Sequence, residues 1–286
     1  MLDAVIIGAG PSGISCAIYL KRYGYRVLVV AKDEGALAKA HQIENYYGIP
    51  SISGKELFWR GVEQAKKLGI EVRMEEVVNL EKDTVFTVTT TSTPIRAKTV
   101  LIATGTSRNS FALGKKLEGK GVSYCATCDG FFYKKKKVAL IGNGPYMQHE
   151  LAVLENIVSD VAVFTDGKPL EVSLDDSVIV HEEKILALIG DDHLEGIQTE
   201  KGIYPVDGCF VALGSANGFT LAMHLGLAFN GNTLSVNEKK ETNIKGLYAA
   251  GDTIGGLLQV SKAVADGAVA ATSMAQYLKE FKEDTC

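Results

Sequence analysis

Two cysteines separated by two residues, Cys125 and Cys128, have the spacing in this sequence that is best suited to chemistry. Thiols at this spacing can close a small, reducible disulfide or supply half of a zinc site. Zinc needs four ligands, whereas Cys16, Cys209 and Cys286 are scattered and no second Cys-x-x-Cys is present. We therefore favour a redox-active dithiol and predict no metal site.

Asp129 follows the second cysteine directly. A carboxyl group at this place could donate a proton to a thiolate that leaves during disulfide exchange, so Asp129 is a candidate catalytic residue. Aspartate is also common in turns and as a helix cap. The sequence leaves both interpretations open.

A glycine-rich turn near the start of the chain, Gly8-Ala-Gly-Pro-Ser-Gly13, separates an apolar strand from a helical pattern. Gly8 permits a tight turn, Gly10 lets the backbone approach a pyrophosphate, and Gly13 allows close contact between helix and strand. The N-terminus of the following helix offers free N–H groups to phosphate. The pattern predicts a dinucleotide site, with Asp33 as a loosely placed candidate for the ribose.

The strand-turn-helix pattern recurs about 130 residues later, around Gly142-Asn-Gly144. Two such units predict an α/β fold made of two Rossmann-like three-layer nucleotide-binding domains, the second inserted into the first. Between the two units, the β-branched segment 70–99 predicts short antiparallel strands. The expected domains are 1–110 with 216–286 for the first and 114–210 for the inserted one.

The composition of the chain argues against several classes of protein. The chain has 286 residues, of which 46% are apolar and 22% charged, so it can bury a sizeable core. The net charge of −4 argues against a nucleic-acid partner. The uncharged segments 4–20 and 208–237 contain too many glycine and polar residues for a signal peptide or a membrane span. An odd count of five cysteines favours a reducing, cytoplasmic location.

Taken together, these motifs resemble the low-molecular-weight flavoprotein thioredoxin reductases over nearly the whole chain. The resemblance is carried by Gly8–Gly13, Glu44–Asn45, Ala103–Gly105, Cys125–Phe132, Val211–Gly214 and Ala249–Asp252. It implies that the first domain binds FAD and that the protein is a homodimer. It also implies that Cys128 faces the flavin and that Cys125 attacks the disulfide of thioredoxin. With Asp33, the candidate cofactor-binding residues are Gly8, Gly10, Ser12, Gly13, Asn45, Thr104, Gly105, Gly251, Asp252, Gln259 and Val260.

The second glycine turn departs from the NADPH-using members of that family, in which G-x-G-x-x-A is followed by H-R-R-x-x-x-R. Met147 stands at the last small position, and no arginine follows Arg108 in the chain. Because a 2′-phosphate is best held by planar arginine forks, we do not expect NADPH to bind in the usual way. Asp166 could bind a ribose 2′-hydroxyl, so an NADH-dependent thioredoxin reductase remains the alternative.

Loss of the pyridine-nucleotide motifs beside intact flavin and dithiol motifs resembles the ferredoxin-dependent flavin thioredoxin reductases. The resemblance implies an enzyme that passes electrons from reduced ferredoxin through FAD and the dithiol to thioredoxin. Ferredoxins are generally acidic, so the run Lys134–Lys137, with Lys115, Lys116 and Lys120 nearby, is a candidate docking surface. An ordinary solvated loop is an equally valid interpretation of the run. A flavin-bound redox sensor and a dithiol oxidase are further alternatives.

Overall fold

A computed structural model describes residues 1–105, 111–214 and 218–283 of the chain. The chain forms two compact units, Met1–Ser107 with Leu225–Cys286 and, between them in sequence, Arg108–His224. The expected domain boundaries at residues 110 and 216 fall outside the described residues, as does Cys286.

The helices and strands are numbered here in chain order. The strands are β1 (Leu2–Ile7), β2 (Val27–Ala31), β3 (Glu71–Met74), β4 (Val77–Lys82), β5 (Phe86–Thr90), β6 (Pro94–Ile102), β7 (Val122–Ser123), β8 (Lys137–Ile141), β9 (Asp160–Phe164), β10 (Ile179–His181), β11 (Ile185–Ile189), β12 (Gly196–Thr199), β13 (Ile203–Pro205), β14 (Gly208–Val211), β15 (Phe229–Asn230), β16 (Thr233–Leu234) and β17 (Leu247–Ala249). The α-helices are α1 (Pro11–Arg22), α2 (Gly54–Lys67), α3 (Ala126–Asp129), α4 (Pro145–Glu155), α5 (Gly218–His224) and α6 (Val260–Glu283).

The first unit is built on a sheet in the order β3-β2-β1-β6-β5-β4, with β17 also paired to β6. Strands β1, β2, β3, β6 and β17 pair in parallel, and β4, β5 and β6 form an antiparallel meander. The expectation of antiparallel strands over 70–99 is therefore wrong for β3. Helix α2 carries the chain back across the sheet before β3 begins, and such a crossover returns the next strand in parallel.

Helices α1 and α6 pack together on one face of this sheet. Helix α1 begins with Pro11, which has no N–H to leave unsatisfied, and it buries Ala17 and Leu20 at helical spacing. The two helices approach each other at backbone distance, because a Cβ atom on Gly267 of α6 would lie 2.1 Å from the carbonyl oxygen of Ser12. Cys16 is fully buried in this core.

The second unit is built on a parallel sheet in the order β10-β9-β8-β14-β7. Strands β11, β12 and β13 form a separate antiparallel sheet. Helix α4 connects β8 to β9, as in a βαβ unit. The predicted fold class, two Rossmann-like domains with one inserted into the other, is confirmed. In the described part of the chain, no helix is long and apolar enough to cross a membrane.

Candidate redox site and cofactor site

A disulfide joins Cys125 to Cys128 at the start of α3 in the second unit. Cys125 follows the end of β7, which fixes its backbone at the edge of the parallel sheet. The Cys125 side chain is fully buried, whereas Cys128 is exposed. The two sulfurs therefore differ in access to solvent although they belong to one four-residue segment.

Cys125 is the N-cap of α3, since the Cys128 backbone N–H donates to Cys125 Sγ at 3.1 Å. A backbone N–H that points at a sulfur is the kind of contact that stabilises a thiolate, the nucleophile in thiol–disulfide exchange. The structure gives such a contact to Cys125 Sγ, the sulfur predicted to be the nucleophile.

Asp129 is held beside the dithiol by Ser123. The Ser123 hydroxyl donates to Asp129 Oδ2 at 2.6 Å and accepts the Cys125 backbone N–H at 3.1 Å. Among the described residues, the Asp129 carboxylate makes no cap bond to the 3-10 turn Gly130–Tyr133 that follows it. Ser123, and not a helix end, therefore holds the Asp129 carboxylate, and a role of Asp129 in proton transfer stays a prediction.

A buried acid–base pair lies directly behind α3. Glu150 of α4 accepts the Ala126 backbone N–H at 3.0 Å through Oε2. Its Oε1 lies 3.5 Å from Nε2 of His224, at the end of α5. Burial raises the pKa of Glu150 to about 7 and lowers the pKa of His224 to about 4. Both groups are therefore held largely uncharged near pH 6.

The first glycine turn lies between β1 and α1 and is shaped by close backbone contacts. Gly8 has a φ of +114°, and a Cβ atom there would lie 2.2 Å from the Ala103 carbonyl oxygen. A Cβ on Gly13 would lie 1.9 Å from the carbonyl oxygen of Gly8. By contrast, no described atom lies within 4 Å of a Cβ built on Gly10. The turn is packed beneath and open above Gly10, where a pyrophosphate would approach.

The N-terminus of α1 suits an anionic group in that open space. Its N-cap is Gly10, which supplies no side chain to the first N–H groups, and the first turn has no acidic residue. Unpaired N–H groups at a helix N-terminus attract phosphate. The residues present therefore fit the diphosphate of FAD.

Other candidate cofactor residues are brought together in the first unit. Asn45 Nδ2 donates to Gln259 Oε1 at 2.9 Å, which ties the loop before α2 to the start of α6 at Val260. Thr104 lies 3.4 Å from Thr253, measured between the hydroxyl oxygens. The Thr253 hydroxyl in turn donates to the Gly105 carbonyl oxygen at 2.7 Å. Thr253 was not among the residues predicted from the sequence.

The turn that carries Asp252 is fixed by a partly buried lysine. Lys262 Nζ donates to the carbonyl oxygens of Gly251 and Gly255 and pairs with Asp266 at 2.8 Å. Asp266 also accepts the Gly251 backbone N–H at 3.2 Å. Gly251 has a φ of +80°, and a Cβ there would lie 2.5 Å from the Ser12 hydroxyl. Burial raises the pKa of the Asp252 carboxyl.

Asp33 is placed less clearly for a ribose. Its Oδ1 accepts the Gly35 backbone N–H at 2.8 Å, so the carboxylate already closes its own turn. The neighbouring Glu34 accepts the Trp59 indole N–H at 2.7 Å. The assignment of Asp33 to the cofactor therefore stays a prediction with little local support.

The second glycine turn, between β8 and α4, is crowded on its buried side by Met147. A Cβ on Gly142 would lie 2.7 Å from Cβ of Met147, which is fully buried. Asp166, the candidate ribose ligand for NADH, accepts the Ile185 backbone N–H at 3.1 Å and the Lys184 ammonium at 2.9 Å. Both features leave this turn poorly suited to a dinucleotide.

Some of these partners have a signal in the sequence and others do not. Glu150 stands on the buried stripe of α4 among Tyr146, Leu151 and Leu154, and a carboxylate on an apolar stripe is a signal that could have been noticed. Ser123 has no such signal, because its role depends on where the chain places Asp129. In the described ranges, no group of three or more histidine, cysteine or acidic residues could hold a metal ion.

The sequence of this chain is similar to a known protein family and to individual members of it. The family model described as pyridine nucleotide-disulphide oxidoreductase matches residues 2–267. The thioredoxin reductase of Aquifex aeolicus (strain VF5) is 32% identical over 307 residues, which cover 98% of this chain and 94% of that protein.

Two solved structures are similar over the whole chain. The atypical thioredoxin reductase TRi from Desulfovibrio vulgaris Hildenborough has a TM-score of 0.92 and 35% identity, with 98% of this chain and 99% of that chain covered. A ferredoxin-flavin thioredoxin reductase from Clostridium acetobutylicum has a TM-score of 0.73 and 33% identity, with 98% of each chain covered. This chain therefore belongs to the pyridine nucleotide-disulphide oxidoreductases and, within them, to the FAD-binding thioredoxin reductases.

Proposed function

We propose that this protein takes electrons from reduced ferredoxin and passes them, through FAD and the Cys125–Cys128 dithiol, to thioredoxin. The observation that carries the proposal is the second glycine turn. Met147 stands where a dinucleotide-binding turn carries a small residue, and it crowds Gly142 from the buried side. The acid that would contact an NADH ribose, Asp166, is already hydrogen-bonded to Lys184 and Ile185. No arginine after Arg108 is available to hold the 2′-phosphate of NADPH.

The comparisons support the same choice of electron donor. The Clostridium acetobutylicum protein, similar over 98% of this chain, is described as a ferredoxin-flavin thioredoxin reductase. The Desulfovibrio vulgaris protein is described as an atypical thioredoxin reductase, a description that names no electron donor. Relatives described simply as thioredoxin reductases are also similar, so a direct test of the donor is required.

The energetics are favourable. Plant-type ferredoxins have reduction potentials of about −400 mV, and thioredoxin has one of about −270 mV. The difference of about 130 mV corresponds to roughly 6 kcal/mol for two electrons. FAD, when bound, supplies the exchange between the single electrons of ferredoxin and the electron pair needed by a disulfide.

The dithiol residues have distinct tasks in this proposal. Two electrons and two protons convert the Cys125–Cys128 disulfide to two thiols. The Cys125 thiolate then attacks a sulfur of the thioredoxin disulfide, and the displaced thioredoxin sulfur leaves as a thiolate that Asp129 protonates. Cys128 next attacks Cys125 Sγ, which restores the disulfide and releases the second thioredoxin thiol. Because Cys125 is fully buried in this structure, it must become accessible before the attack.

The remaining assignments follow from this proposal. The FAD would be held by the first unit, through Gly8, Gly10, Ser12 and Gly13 at the diphosphate and by Asn45, Thr104, Gly105, Gly251, Asp252, Gln259 and Val260 elsewhere. We place the protein in a reducing, cytoplasmic compartment as a homodimer. The hydrogen bonds of Asn45 with Gln259 and of Thr253 with Gly105, both made within the first unit, support a single cofactor site there.

An anaerobic titration tests the donor. The FAD-loaded protein is mixed separately with NADPH, NADH and reduced ferredoxin, and loss of the flavin absorbance is followed. We expect bleaching by ferredoxin alone. Bleaching by either nicotinamide at micromolar concentration would refute the proposal, and bleaching by NADH in particular would favour the alternative enzyme.

Steady-state measurements separate an enzyme from the other candidate functions. An enzyme reduces many equivalents of thioredoxin per flavin when ferredoxin is regenerated. A redox sensor would reduce at most one equivalent. A dithiol oxidase would instead consume oxygen rapidly with a small dithiol as the reductant.

A further inference from the structure

The segment from Pro169 to Ser173 lies across the N-terminal end of α4. Asn143 Nδ2 donates to the Pro169 carbonyl oxygen at 3.0 Å, and the Glu171 backbone N–H donates to the Asn143 carbonyl oxygen at 2.8 Å. Gln148 Nε2 donates to the Ser173 carbonyl oxygen at 2.8 Å. Three hydrogen bonds therefore tie the segment to the glycine turn and to the first turn of the helix.

This attachment places the Glu171 carboxylate over the second glycine of the turn. A Cβ on Gly144 would lie 3.0 Å from Glu171 Oε2, and Asn143 Nδ2 donates to Glu171 Oε1 at 3.3 Å. Glu171 itself is exposed, so its carboxylate lies in the open space above the turn and not in the core. Asn143, the residue that anchors it, is buried.

The position matters because of what a dinucleotide needs there. In Rossmann turns the second glycine leaves room for the pyrophosphate, and the helix N-terminus attracts its negative charge. Here the room above Gly144 holds a negatively charged group of the chain itself. A pyrophosphate would have to displace the carboxylate and would be repelled by it while doing so.

We propose that Glu171 is a specificity-determining residue that excludes the pyrophosphate of pyridine nucleotides from the second unit. The assignment rests on the proposed nicotinamide-independent function and names the side chain responsible for it. Met147 crowds Gly142 from the buried side of the turn, whereas the Glu171 carboxylate lies over Gly144 on its exposed side. The two residues act on different parts of the same turn.

The test is equilibrium binding of NADH to the FAD-loaded protein, measured by isothermal titration calorimetry. Glu171→Gln keeps the size of the side chain and removes its charge, and Glu171→Ala removes both. Glu155→Gln is the matched control because it removes an exposed glutamate at the opposite end of α4, away from the glycine turn. Flavin absorbance and the unfolding midpoint confirm that each variant is folded.

We expect Glu171→Ala to bind NADH at least about tenfold more tightly than the wild type, equivalent to about 1.4 kcal/mol. Glu171→Gln should show part of this gain, and Glu155→Gln should show none. The proposal is overturned if neither Glu171 variant binds NADH more tightly than the wild type. The proposed function fails by a separate result, the bleaching of wild-type flavin by a nicotinamide or its lack of response to ferredoxin.

Discussion

At the scale of single residues, Cys125 and Cys128 differ in burial and in hydrogen bonding, so replacing them one at a time should give different products. Cys128→Ser leaves the Cys125 thiol without a partner to resolve a mixed disulfide. We expect this variant to accumulate a covalent complex with a single-cysteine thioredoxin activated as its thionitrobenzoate disulfide. Non-reducing electrophoresis and mass spectrometry measure the complex. Cys286→Ser is the background for both variants, so that a third thiol cannot form the complex.

Cys125→Ser is the matched variant in the same background. It should form much less of the complex, since the remaining Cys128 thiol lacks the N–H bond that Cys125 Sγ receives. Cys16 and Cys209 are fully buried, and burial raises the pKa of each thiol, so neither should react in its place. More complex with Cys125→Ser than with Cys128→Ser would reverse the proposed roles of the two cysteines.

The pair Glu150 and His224 gives a second prediction at this scale, from the dependence of stability on pH. The pKa of Glu150 is raised from 4.5 to about 7, and that of His224 is lowered from 6.5 to about 4. Between pH 4.5 and pH 6.5, the folded protein holds one proton on Glu150, whereas the unfolded chain holds one on His224. The folded and unfolded states therefore bind the same number of protons, and the pair adds little to the pH dependence of stability in the wild type.

Replacing one member of the pair should reveal how the other changes stability with pH. In Glu150→Gln, His224 binds a proton only in the unfolded chain, so stability should rise with pH between about 4 and 6.5, by up to about 1.4 kcal/mol per unit. In His224→Gln, Glu150 binds a proton only in the folded chain, so stability should fall as pH rises from about 4.5 to 7. Urea unfolding at several pH values, taken as differences from the wild type, measures both slopes. Parallel curves for all three proteins would show that the pair is not held uncharged.

At the scale of elements, the turn between β1 and α1 contains one glycine that the fold requires and another that the cofactor requires. Gly13→Ala places a Cβ against the Gly8 carbonyl oxygen, so the fold should lose about 1–3 kcal/mol or more. Gly10 has an ordinary φ of −68° and open space around it. Gly10→Ala should therefore leave the apoprotein within about 0.5 kcal/mol of wild type but bind FAD at least about tenfold more weakly.

Two measurements check this pair of variants: chemical unfolding of the apoprotein and titration with FAD followed by flavin fluorescence. The prediction is the difference between the two variants: Gly13→Ala lowers the stability of the apoprotein, whereas Gly10→Ala weakens the binding of FAD. If Gly10→Ala bound FAD as tightly as the wild type, the diphosphate could not lie above Gly10, and the site would need to be placed elsewhere in the unit.

The elements also show what the sequence could and could not predict. Glycine spacing around Gly8 and Gly142 predicted both turns, because backbone crowding permits few other residue types there. The parallel pairing of β3 was missed, since β-branched residues suit strands of either direction. The contacts of Ser123 with Asp129, and of Glu171 with Asn143, join residues whose proximity depends on the tertiary fold, so no local pattern announces them.

At the scale of the whole molecule, a chain of net charge −4 carries a local positive surface on Lys134, Lys135 and Lys136. These lysines are exposed, as are Phe131 and Phe132 just before them in the chain. A local positive potential can speed association with an acidic partner even when the net charges of both proteins are negative. We therefore expect flavin reduction by ferredoxin to slow as ionic strength rises.

Replacing Lys134, Lys135 and Lys136 together by glutamine should lower the second-order rate of flavin reduction by ferredoxin by about tenfold at low salt. Replacing the exposed Lys55, Lys66 and Lys67 of α2 removes the same number of charges and is the control. Stopped-flow reduction at several salt concentrations measures both variants. Steering by the lysine run predicts that its loss also flattens the salt dependence, because the screened interaction is gone. Equal slowing in the two variants would instead assign the effect to net charge, and the lysine run would then be an ordinary solvated loop.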